Sequence, residues 1–285
     1  MEIKMKKCLV ISDSFKGTLS SLEICSLAEK EIKKIFPACE VINIPVADGG
    51  EGTVESFLSI LKGAKISIDV KGPFFEPVHA YYGMFGKKAV IEMAQAAGLP
   101  LVEGKPDPLR ASTYGVGQMI DDAVKRGAKE IIIGLGGSAT NDGGCGCAAA
   151  LGVIFKDKEG KEFVPVGGSL DRIAEIDTSE VERKLSEIKI SAMCDIDNPL
   201  CGKEGAAYVF GPQKGADEKT VELLDRNLVA LSESIKRCLG KDVSGLPGSG
   251  AAGGMGAGVV AFLNAELKPG IEAVLDMAEF SEKAQ

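Results

Sequence analysis

The chain contains 285 residues, of which 45% are hydrophobic and 26% charged, and this composition is ordinary for a soluble globular protein with one large domain or two average ones. The formal net charge of −8 argues against a nucleic-acid-binding surface, because such surfaces are normally basic. No apolar run approaches the roughly 20 residues of a membrane span, and residues 1–7 are too short and polar for a signal peptide. The sequence therefore predicts a cytoplasmic protein that binds neither membranes nor nucleic acids.

The amino-terminal part of the chain predicts two strand–helix units. A strand at residues 6–12 precedes an amphipathic helix at residues 20–35. A second strand at residues 41–46 precedes a helix at residues 52–62, with Gly63 as the glycine that closes it. Consecutive strand–helix units are typical of a parallel sheet, so we expect the two strands to be parallel.

The chain then changes to short strands joined by tight turns. Residues 66–70, 78–84 and 89–92 are apolar or alternating runs between glycine-containing turns, which predicts an antiparallel meander and the start of a second subdomain. A helix at residues 113–126 leads from this region to a strand at residues 131–133.

The stretch IIIGLGGSATNDGG, residues 131–144, combines a buried strand, a glycine-rich turn and the start of a helix. Glycines let backbone N–H groups approach a ligand closely, and a helix N-terminus adds partial positive charge, so the turn suits a phosphate or a carboxylate. The glycines are Gly134, Gly136 and Gly137, Ser138 and Thr140 can cap the following helix, and Asn141 and Asp142 are candidate ligand contacts. The last two could equally cap the following helix, and the turn by itself is also compatible with a purely structural role.

The later part of the chain predicts further elements around a second glycine-rich run. Strands are expected at residues 188–193 and 206–210, and a long amphipathic helix at residues 218–239. The run GLPGSGAAGGMGAG at residues 245–258 could be a flexible linker. Its alanines and methionine favour a close-packed turn that enters a helix, because a linker would normally be more polar.

The eight cysteines and the single histidine are interpreted as structural. The cysteines are scattered through apolar segments, so buried free thiols are favoured over disulfides. Cys145 and Cys147 lack the second cysteine pair or histidine cluster that a zinc site requires. His79 lies in an ordinary strand sequence without a nucleophile motif.

Three further apolar strands lead into polar loops that contain glycine or aspartate. These loops are SDSFKGTLSS at residues 12–21, ADGGEGT at residues 47–53 and CDIDNPLCG at residues 194–202. In open α/β sheets, ligands bind beyond the carboxyl ends of the strands. We therefore expect these loops to converge with the turn at residues 131–144.

The polar loops contain the groups that phosphoryl transfer requires, namely a phosphate cradle, a cation and carboxylates. Lys16 would supply the cation, and Asp48, Asp195 and Asp197 suit metal or acceptor roles. The structural alternatives are a solvated loop lysine and aspartates that form turns or cap helices. The sequence contains no P-loop and no protein-kinase motif set.

Six segments resemble, in order, the type I glycerate kinase family. They are SDSFKGTLSS (12–21), PVADGGEGT (45–53), GLGGSATNDGG (134–144), CDIDNPLCG (194–202), FGPQKGA (210–216) and GSGAAGGMGAG (248–258). The resemblance implies ATP-dependent, Mg²⁺-assisted phosphorylation of D-glycerate, with 2-phospho-D-glycerate as the product of bacterial members. The catalytic residues that it implies are Lys16, Asp48 and Asp195, with Asp195 and Asp197 as magnesium ligands. The implied substrate and phosphate contacts are Ser14, Gly136, Gly137, Ser138, Asn141 and Asp142.

The resemblance also implies an α/β fold with two domains and an active site in the cleft between them. Residues 1–64 and 245–285 would form a discontinuous, Rossmann-like domain with a mainly parallel sheet, and residues 65–244 a mixed α/β domain. Family members usually continue beyond the position of Gln285 with a TGEGR-like loop, so the first domain is expected to be incomplete at its carboxyl end. Three points stay open: a homo-oligomer, another small hydroxy acid or sugar as acceptor, and a truncated, non-catalytic module that binds glycerate or nucleotide.

Overall fold

The computed structural model describes residues 5–15, 18–46, 49–50, 52–270 and 272. The strands are β1 (Lys7–Ser12), β2 (Glu40–Pro45), β3 (Ala64–Lys71), β4 (Pro77–Phe85), β5 (Lys88–Glu92), β6 (Glu130–Gly134), β7 (Ile154–Lys156), β8 (Glu175–Asp177), β9 (Lys189–Met193) and β10 (Glu266–Lys268). The α-helices are α1 (Ser21–Ile35), α2 (Thr53–Ile60), α3 (Ala94–Ala97), α4 (Tyr114–Lys125), α5 (Cys145–Leu151), α6 (Ser179–Leu185), α7 (Ala206–Phe210), α8 (Glu218–Leu239) and α9 (Ala251–Leu263). Short 3₁₀ helices lie at Leu99–Val102, Gly167–Arg172 and Pro212–Lys214.

The amino-terminal unit contains β1, β2, α1 and α2, and its two strands are parallel as predicted. Helix α1 begins after Ser20, whose hydroxyl accepts a hydrogen bond from the backbone N–H of Glu23. The Glu23 carboxylate accepts one from the backbone N–H of Ser20 in return, so both donors are satisfied. Helix α2 ends earlier than predicted: Leu61 is already extended, and the prediction that Gly63 closes the helix is wrong.

The larger sheet has six strands in the order β10-β9-β6-β5-β4-β3. Neighbouring strands from β10 to β5 are parallel, whereas β4 runs antiparallel to both of its neighbours, β5 and β3. The predicted meander is therefore confirmed, and it extends the edge of a parallel sheet. Strands β7 and β8 form a separate antiparallel pair.

The isoleucine run of β6 is buried on both faces of the sheet. Ile131 and Ile133 belong to the larger hydrophobic core, while Ile132 belongs to a smaller core that also contains Ile44 of β2 and Phe57 of α2. Side chains alternate between the two faces of a strand, so an uninterrupted apolar run serves two cores. The amino-terminal unit thus covers one face of the central strands.

Residues 206–210 form helix α7, so the prediction of a strand there is wrong. Ala206 and Ala207 are buried, and the backbone N–H of Gly211 donates a hydrogen bond to the Ala207 carbonyl oxygen. Helix α7 packs against α8 and α9. A short apolar run does not contain enough periodicity to distinguish a buried helix from a strand, and tertiary packing decides.

The glycine run at residues 245–258 is a close-packed turn that enters α9, as predicted. Gly253 has φ of +68°, and a Cβ atom at this position would lie 2.0 Å from the carbonyl oxygen of Thr140. The start of α9 and the loop after β6 therefore meet through backbone atoms. A side chain at Gly253 is excluded both by this contact and by the left-handed backbone conformation.

The α/β fold class is confirmed, while the division into two domains stays a prediction. Helix α9 contributes to the larger core, and β10 pairs with β9. Both elements fall in the range 245–285 that was predicted for the first domain, and residues 273–285 lie outside the described residues. Within the described ranges, no helix is long and apolar enough to cross a membrane.

The cysteines and the histidine have structural surroundings. All eight cysteines are free, and burial raises the pKa of the Cys145 and Cys147 thiols. His79 lies exposed on β4, with Nδ1 at 2.9 Å from the carboxylate of Asp69 on β3. Burial of the thiols is confirmed for Cys25, Cys39, Cys145 and Cys147, while the other four cysteines are half-buried.

Candidate active site

The carboxyl ends of β5, β6 and β9 lie side by side. Their last residues are Glu92, Gly134 and Met193, and these are paired across the three strands. The segments that follow therefore start at one edge of the sheet, which is where open α/β sheets bind ligands.

The glycine-rich turn after β6 is in direct backbone contact with the loop after β2. The N–H of Gly136 donates a hydrogen bond to the carbonyl oxygen of Gly49 at 3.1 Å. A Cβ atom at Gly134 would lie 2.2 Å from that same oxygen, so the approach requires glycine. The predicted convergence is confirmed for these two loops.

Replacing Gly136 by alanine should destabilise this contact. The new Cβ atom would lie 2.5 Å from Gly50 Cα, which overpacks two backbone segments, and the free energy of unfolding should fall by about 1–3 kcal/mol. Urea unfolding measures the change. Gly245→Ala is the matched control, because no described atom lies within 4 Å of a Cβ built there. Equal stability of the two variants would contradict the predicted contact between the loops.

A cavity of about 300 Å³ opens at this edge of the sheet. The loop after β6, the loop after β9, the 3₁₀ helix after α7 and the start of α9 all contribute to its wall. Four predicted residues line it, namely Gly136, Gly137, Ser138 and Asp195. The structure therefore brings together two of the loops that the sequence singled out.

Asp142 is fully buried and binds four donors of the protein itself. Its Oδ2 accepts hydrogen bonds from the N–H and the hydroxyl of Thr113, both at 2.8 Å, and from the N–H of Gly146 at 3.2 Å. Its Oδ1 accepts one from the N–H of Gly144 at 3.2 Å. Burial raises the pKa of this carboxyl, while the hydrogen bonds act in the opposite direction. These contacts favour the capping alternative, and a ligand contact stays a prediction.

Asn141 is fully buried and keeps an unsatisfied amide group. Neither Oδ1 nor Nδ2 has a hydrogen-bond partner among the residues that the structure describes. A buried amide without partners costs about 1–3 kcal/mol, and a polar ligand group would remove this cost. This geometry supports the predicted ligand contact of Asn141 without testing it.

Asp195 and Asp197 are both exposed on the loop after β9. Asp195 lines the cavity, and its Oδ1 accepts a hydrogen bond from the backbone N–H of Gly270 at 2.8 Å. Asp197 is not among the residues that line the cavity. No cluster of three or more His, Cys, Asp or Glu side chains is found in the described part of the chain. Magnesium usually takes only one or two carboxylates together with substrate phosphates, so this arrangement is compatible with it.

Lys214 lines the same cavity and was not predicted as a site residue. Its side chain is buried, with 2% exposed, and Nζ donates a hydrogen bond to the Thr140 carbonyl oxygen at 2.6 Å. Burial lowers the pKa of Lys214 to about 7, and nearby Asp142 acts in the opposite direction. The signal in the sequence was FGPQKGA, which carries the family resemblance but contains no acidic residue or glycine-rich turn to single out its lysine.

Glu92 connects the amino-terminal unit to the central sheet and was also not predicted. It lies at the end of β5 with 1% of its surface exposed. Its Oε1 accepts a hydrogen bond from the backbone N–H of Val54, in the first turn of α2, at 2.7 Å, and Oε2 accepts one from Gln95 at 3.3 Å. A carboxylate at this position accepts a hydrogen bond from an N–H group that has no partner within the helix. Its negative charge also interacts favourably with the positive end of the helix dipole. Glu92 therefore fixes α2 against the sheet.

Three predicted residues remain, namely Ser14, Lys16 and Asp48. Ser14 lines a second cavity of about 270 Å³ beside the start of α1 and α2, together with Ser20 and Gly52. Lys16 and Asp48 lie outside the described residues. Their predicted roles stay predictions.

The fold and the site define an α/β protein with a candidate site for a small anionic ligand at the carboxyl edge of its sheet. Within that class the chain can also be assigned to a protein family. A model of the glycerate kinase family matches residues 8–285, and the chain belongs to this family of kinases.

The similarity to individual relatives runs along nearly the whole chain. The glycerate kinase of Bacillus cereus is 49% identical over 279 residues, which are 97% of this chain and 73% of that protein. The glycerate 2-kinase of Escherichia coli K12 is 47% identical over 279 residues, with the same shares. A crystal structure of a protein provisionally named glycerate kinase 2, from Salmonella typhimurium LT2, matches with a TM-score of 0.92 at 43% identity and covers 97% of this chain and 75% of that one.

Proposed function

We propose that this chain catalyses the ATP-dependent phosphorylation of D-glycerate to 2-phospho-D-glycerate in the cytoplasm. The observation that carries the proposal is the alignment of nearly the whole chain with proteins named glycerate kinase, one of them named glycerate 2-kinase. The site occupies the segments that carry the family resemblance, since Gly136, Asp195, Lys214 and Ala252 all line its cavity.

The chemistry of the cavity supports this reaction. D-glycerate presents a carboxylate and two hydroxyl groups, and phosphoryl transfer to a hydroxyl depends mainly on positioning and on neutralising phosphate charge. The cavity offers a glycine-rich loop, the hydroxyl of Ser138 and the ammonium group of Lys214. A carboxylate at Asp195 lies in the same wall, where it suits a metal or acceptor role.

The individual roles follow the predicted set. Lys16, Asp48 and Asp195 are proposed as catalytic residues, and the active site as a cleft between two domains. The proposed substrate and phosphate contacts are Ser14, Gly136, Gly137, Ser138, Asn141 and Asp142. The carboxylates of Asp195 and Asp197 are donors of the kind that Mg²⁺ takes and would hold it. When bound, Mg²⁺ would neutralise charge on the transferred phosphoryl group.

A coupled assay tests the activity and the position of the phosphate together. The protein is mixed with ATP, Mg²⁺ and D-glycerate in the presence of enolase, pyruvate kinase and lactate dehydrogenase, and NADH loss is followed. Because no mutase is added, only 2-phosphoglycerate is converted to pyruvate. NADH loss is the expected result. ADP release without NADH loss would contradict the 2-phospho product, and the absence of ADP release would contradict the kinase activity.

Replacing Asp195 by asparagine should lower kcat/KM about a hundredfold, as expected when a charged group that acts in the transition state is lost. Asparagine keeps an oxygen that can accept the hydrogen bond from Gly270, so the fold should be retained. The control is Asp171→Asn, an exposed aspartate that does not line the cavity. If both variants turned over at the wild-type rate, Asp195 would have no catalytic role.

A further inference from the structure

The ammonium group of Lys214 is buried, and it forms no ion pair with any residue that the structure describes. In the described part of the chain it makes one hydrogen bond, from Nζ to the Thr140 carbonyl oxygen. Its side chain is 2% exposed, so water does not surround the charge. An ammonium group has three N–H donors, and the carbonyl oxygen accepts from one of them.

A buried charge of this kind is costly unless an opposite charge compensates it. Asp142 acts on Lys214 electrostatically, but its two oxygens are already occupied by Thr113, Gly144 and Gly146. The exposed carboxylate of Asp195 lines the same cavity but makes no ion pair with Lys214. Among the described residues no acidic side chain pairs with this ammonium group, so an anion bound in the cavity would compensate its charge.

The wall around Lys214 fits an anionic oxygen group. The backbone turn at Gly136 and Gly137 and the hydroxyl of Ser138 line the same cavity. Asn141, which follows Thr140 in the chain, is not among the residues that line the cavity, but neither atom of its buried amide has a hydrogen-bond partner among the described residues. An ammonium group beside free polar groups is a donor set for a carboxylate or a phosphate.

We infer that Lys214 is a ligand-binding residue whose ammonium group binds an anionic oxygen group of the substrate in this cavity. The inference rests on the proposed function for the identity of the ligands, which supply the anion as the carboxylate of D-glycerate or as a phosphate of the nucleotide. A purely structural lysine would instead serve only to hold the Thr140 carbonyl oxygen. The two roles differ in one respect: only a ligand-binding Lys214 makes the affinity for a ligand depend on the negative charge of that ligand.

The test compares binding by calorimetry for the full chain and two variants. Lys214→Gln keeps N–H donors for the Thr140 carbonyl oxygen but removes the charge. Lys214→Met removes the charge as well and buries no polar group, so it is expected to fold even where the glutamine variant does not. The matched control is Lys241→Gln, because the ammonium group of Lys241 donates to the carbonyl oxygens of Val260 and Ala261 and does not line the cavity.

The probes are D-glycerate, ADP, inorganic phosphate and adenosine. We expect the Lys214 variants to bind at least one of the two substrates about tenfold more weakly or worse, as for the loss of a charge-assisted hydrogen bond. If affinity falls only for D-glycerate, Lys214 binds the carboxylate of D-glycerate. If affinity falls for ADP and inorganic phosphate, Lys214 binds a phosphate of the nucleotide. Adenosine binding and the Lys241 control should stay at the wild-type level.

Three results would overturn the inference. They are unchanged binding of D-glycerate and ADP by both Lys214 variants, an equal loss for adenosine, and a wild-type chain that binds none of the anionic probes. Binding is measured without turnover. If the coupled assay fails while the Lys214 variants still lose anion affinity, the proposed function fails and the assignment of Lys214 stands.

Discussion

Replacing Asp142 by alanine should lower the free energy of unfolding by about 5 kcal/mol, which is the size of loss found when a buried hydrogen-bond network is broken. The carboxylate accepts hydrogen bonds from two donors of Thr113 and from the backbone N–H groups of Gly144 and Gly146. All four donors would be left without this acceptor in a fully buried position, and each such group costs about 1–3 kcal/mol. Urea unfolding measures the loss.

Asparagine at position 142 should have a smaller effect, because it keeps one oxygen with the shape of the original side chain. That oxygen can accept the three hydrogen bonds now made by Oδ2, while the new NH₂ group would face the N–H of Gly144. We therefore expect the order wild type, Asp142→Asn, Asp142→Ala in falling stability. Asp171→Ala is the control, since this exposed aspartate should change stability by less than about 0.5 kcal/mol. An alanine variant as stable as the control would refute the structural role of Asp142.

Replacing Glu92 by alanine should lower the free energy of unfolding by about 3 kcal/mol and loosen the amino-terminal unit from the central sheet. The N–H of Val54 loses its acceptor, the side-chain amide of Gln95 loses the hydrogen bond that it donates to Glu92, and the removed methylene and carboxyl groups leave a cavity. Hydrogen exchange should show faster opening of α2 than of α8, because only α2 depends on this carboxylate. If the alanine substitution changed the hydrogen-exchange protection of α2 and α8 by the same amount, this role of Glu92 would be contradicted.

Glutamine at position 92 separates the hydrogen bond from the charge. It keeps an acceptor for the N–H of Val54, so most of the stability should be retained. Burial raises the pKa of Glu92 in the folded chain, with a further increase from the charge of Glu55, against the hydrogen bonds from Val54 and Gln95. The folded state then binds more protons than the unfolded state between the ordinary pKa of a glutamate and the raised one.

The wild-type chain should therefore lose stability as pH rises through that window, and Glu92→Gln should lack this part of the loss. Urea unfolding at a series of pH values measures the difference between the two chains. The stability difference should be constant below the ordinary pKa of glutamate, shift in favour of the variant between the two pKa values, and be constant again above the raised one. A difference that does not depend on pH would show that Glu92 does not titrate as a buried group.

Local sequence patterns determined most of the secondary structure and part of the site. The apolar run at residues 131–133 predicted a central strand, and the periodic segments at residues 20–35 and 218–239 predicted helices α1 and α8. Gly136 could be predicted as a site residue because several glycines in one turn indicate close approach of the backbone. These features depend on periodicity, capping and glycine, which act over a few residues.

Only the tertiary structure decided which side chains complete the site. Lys214 meets the Thr140 carbonyl oxygen across 74 positions of the chain, and Glu92 meets the N–H of Val54 across 38. It also decided that Ala206–Phe210 is a helix, because burial against α8 and α9 outweighs the weak preference of five residues. The sequence by itself determined the strand ends and the glycine loops of this kinase family member. Burial and long-range pairing determined which charges those loops enclose, because desolvation depends on neighbours that local sequence does not specify.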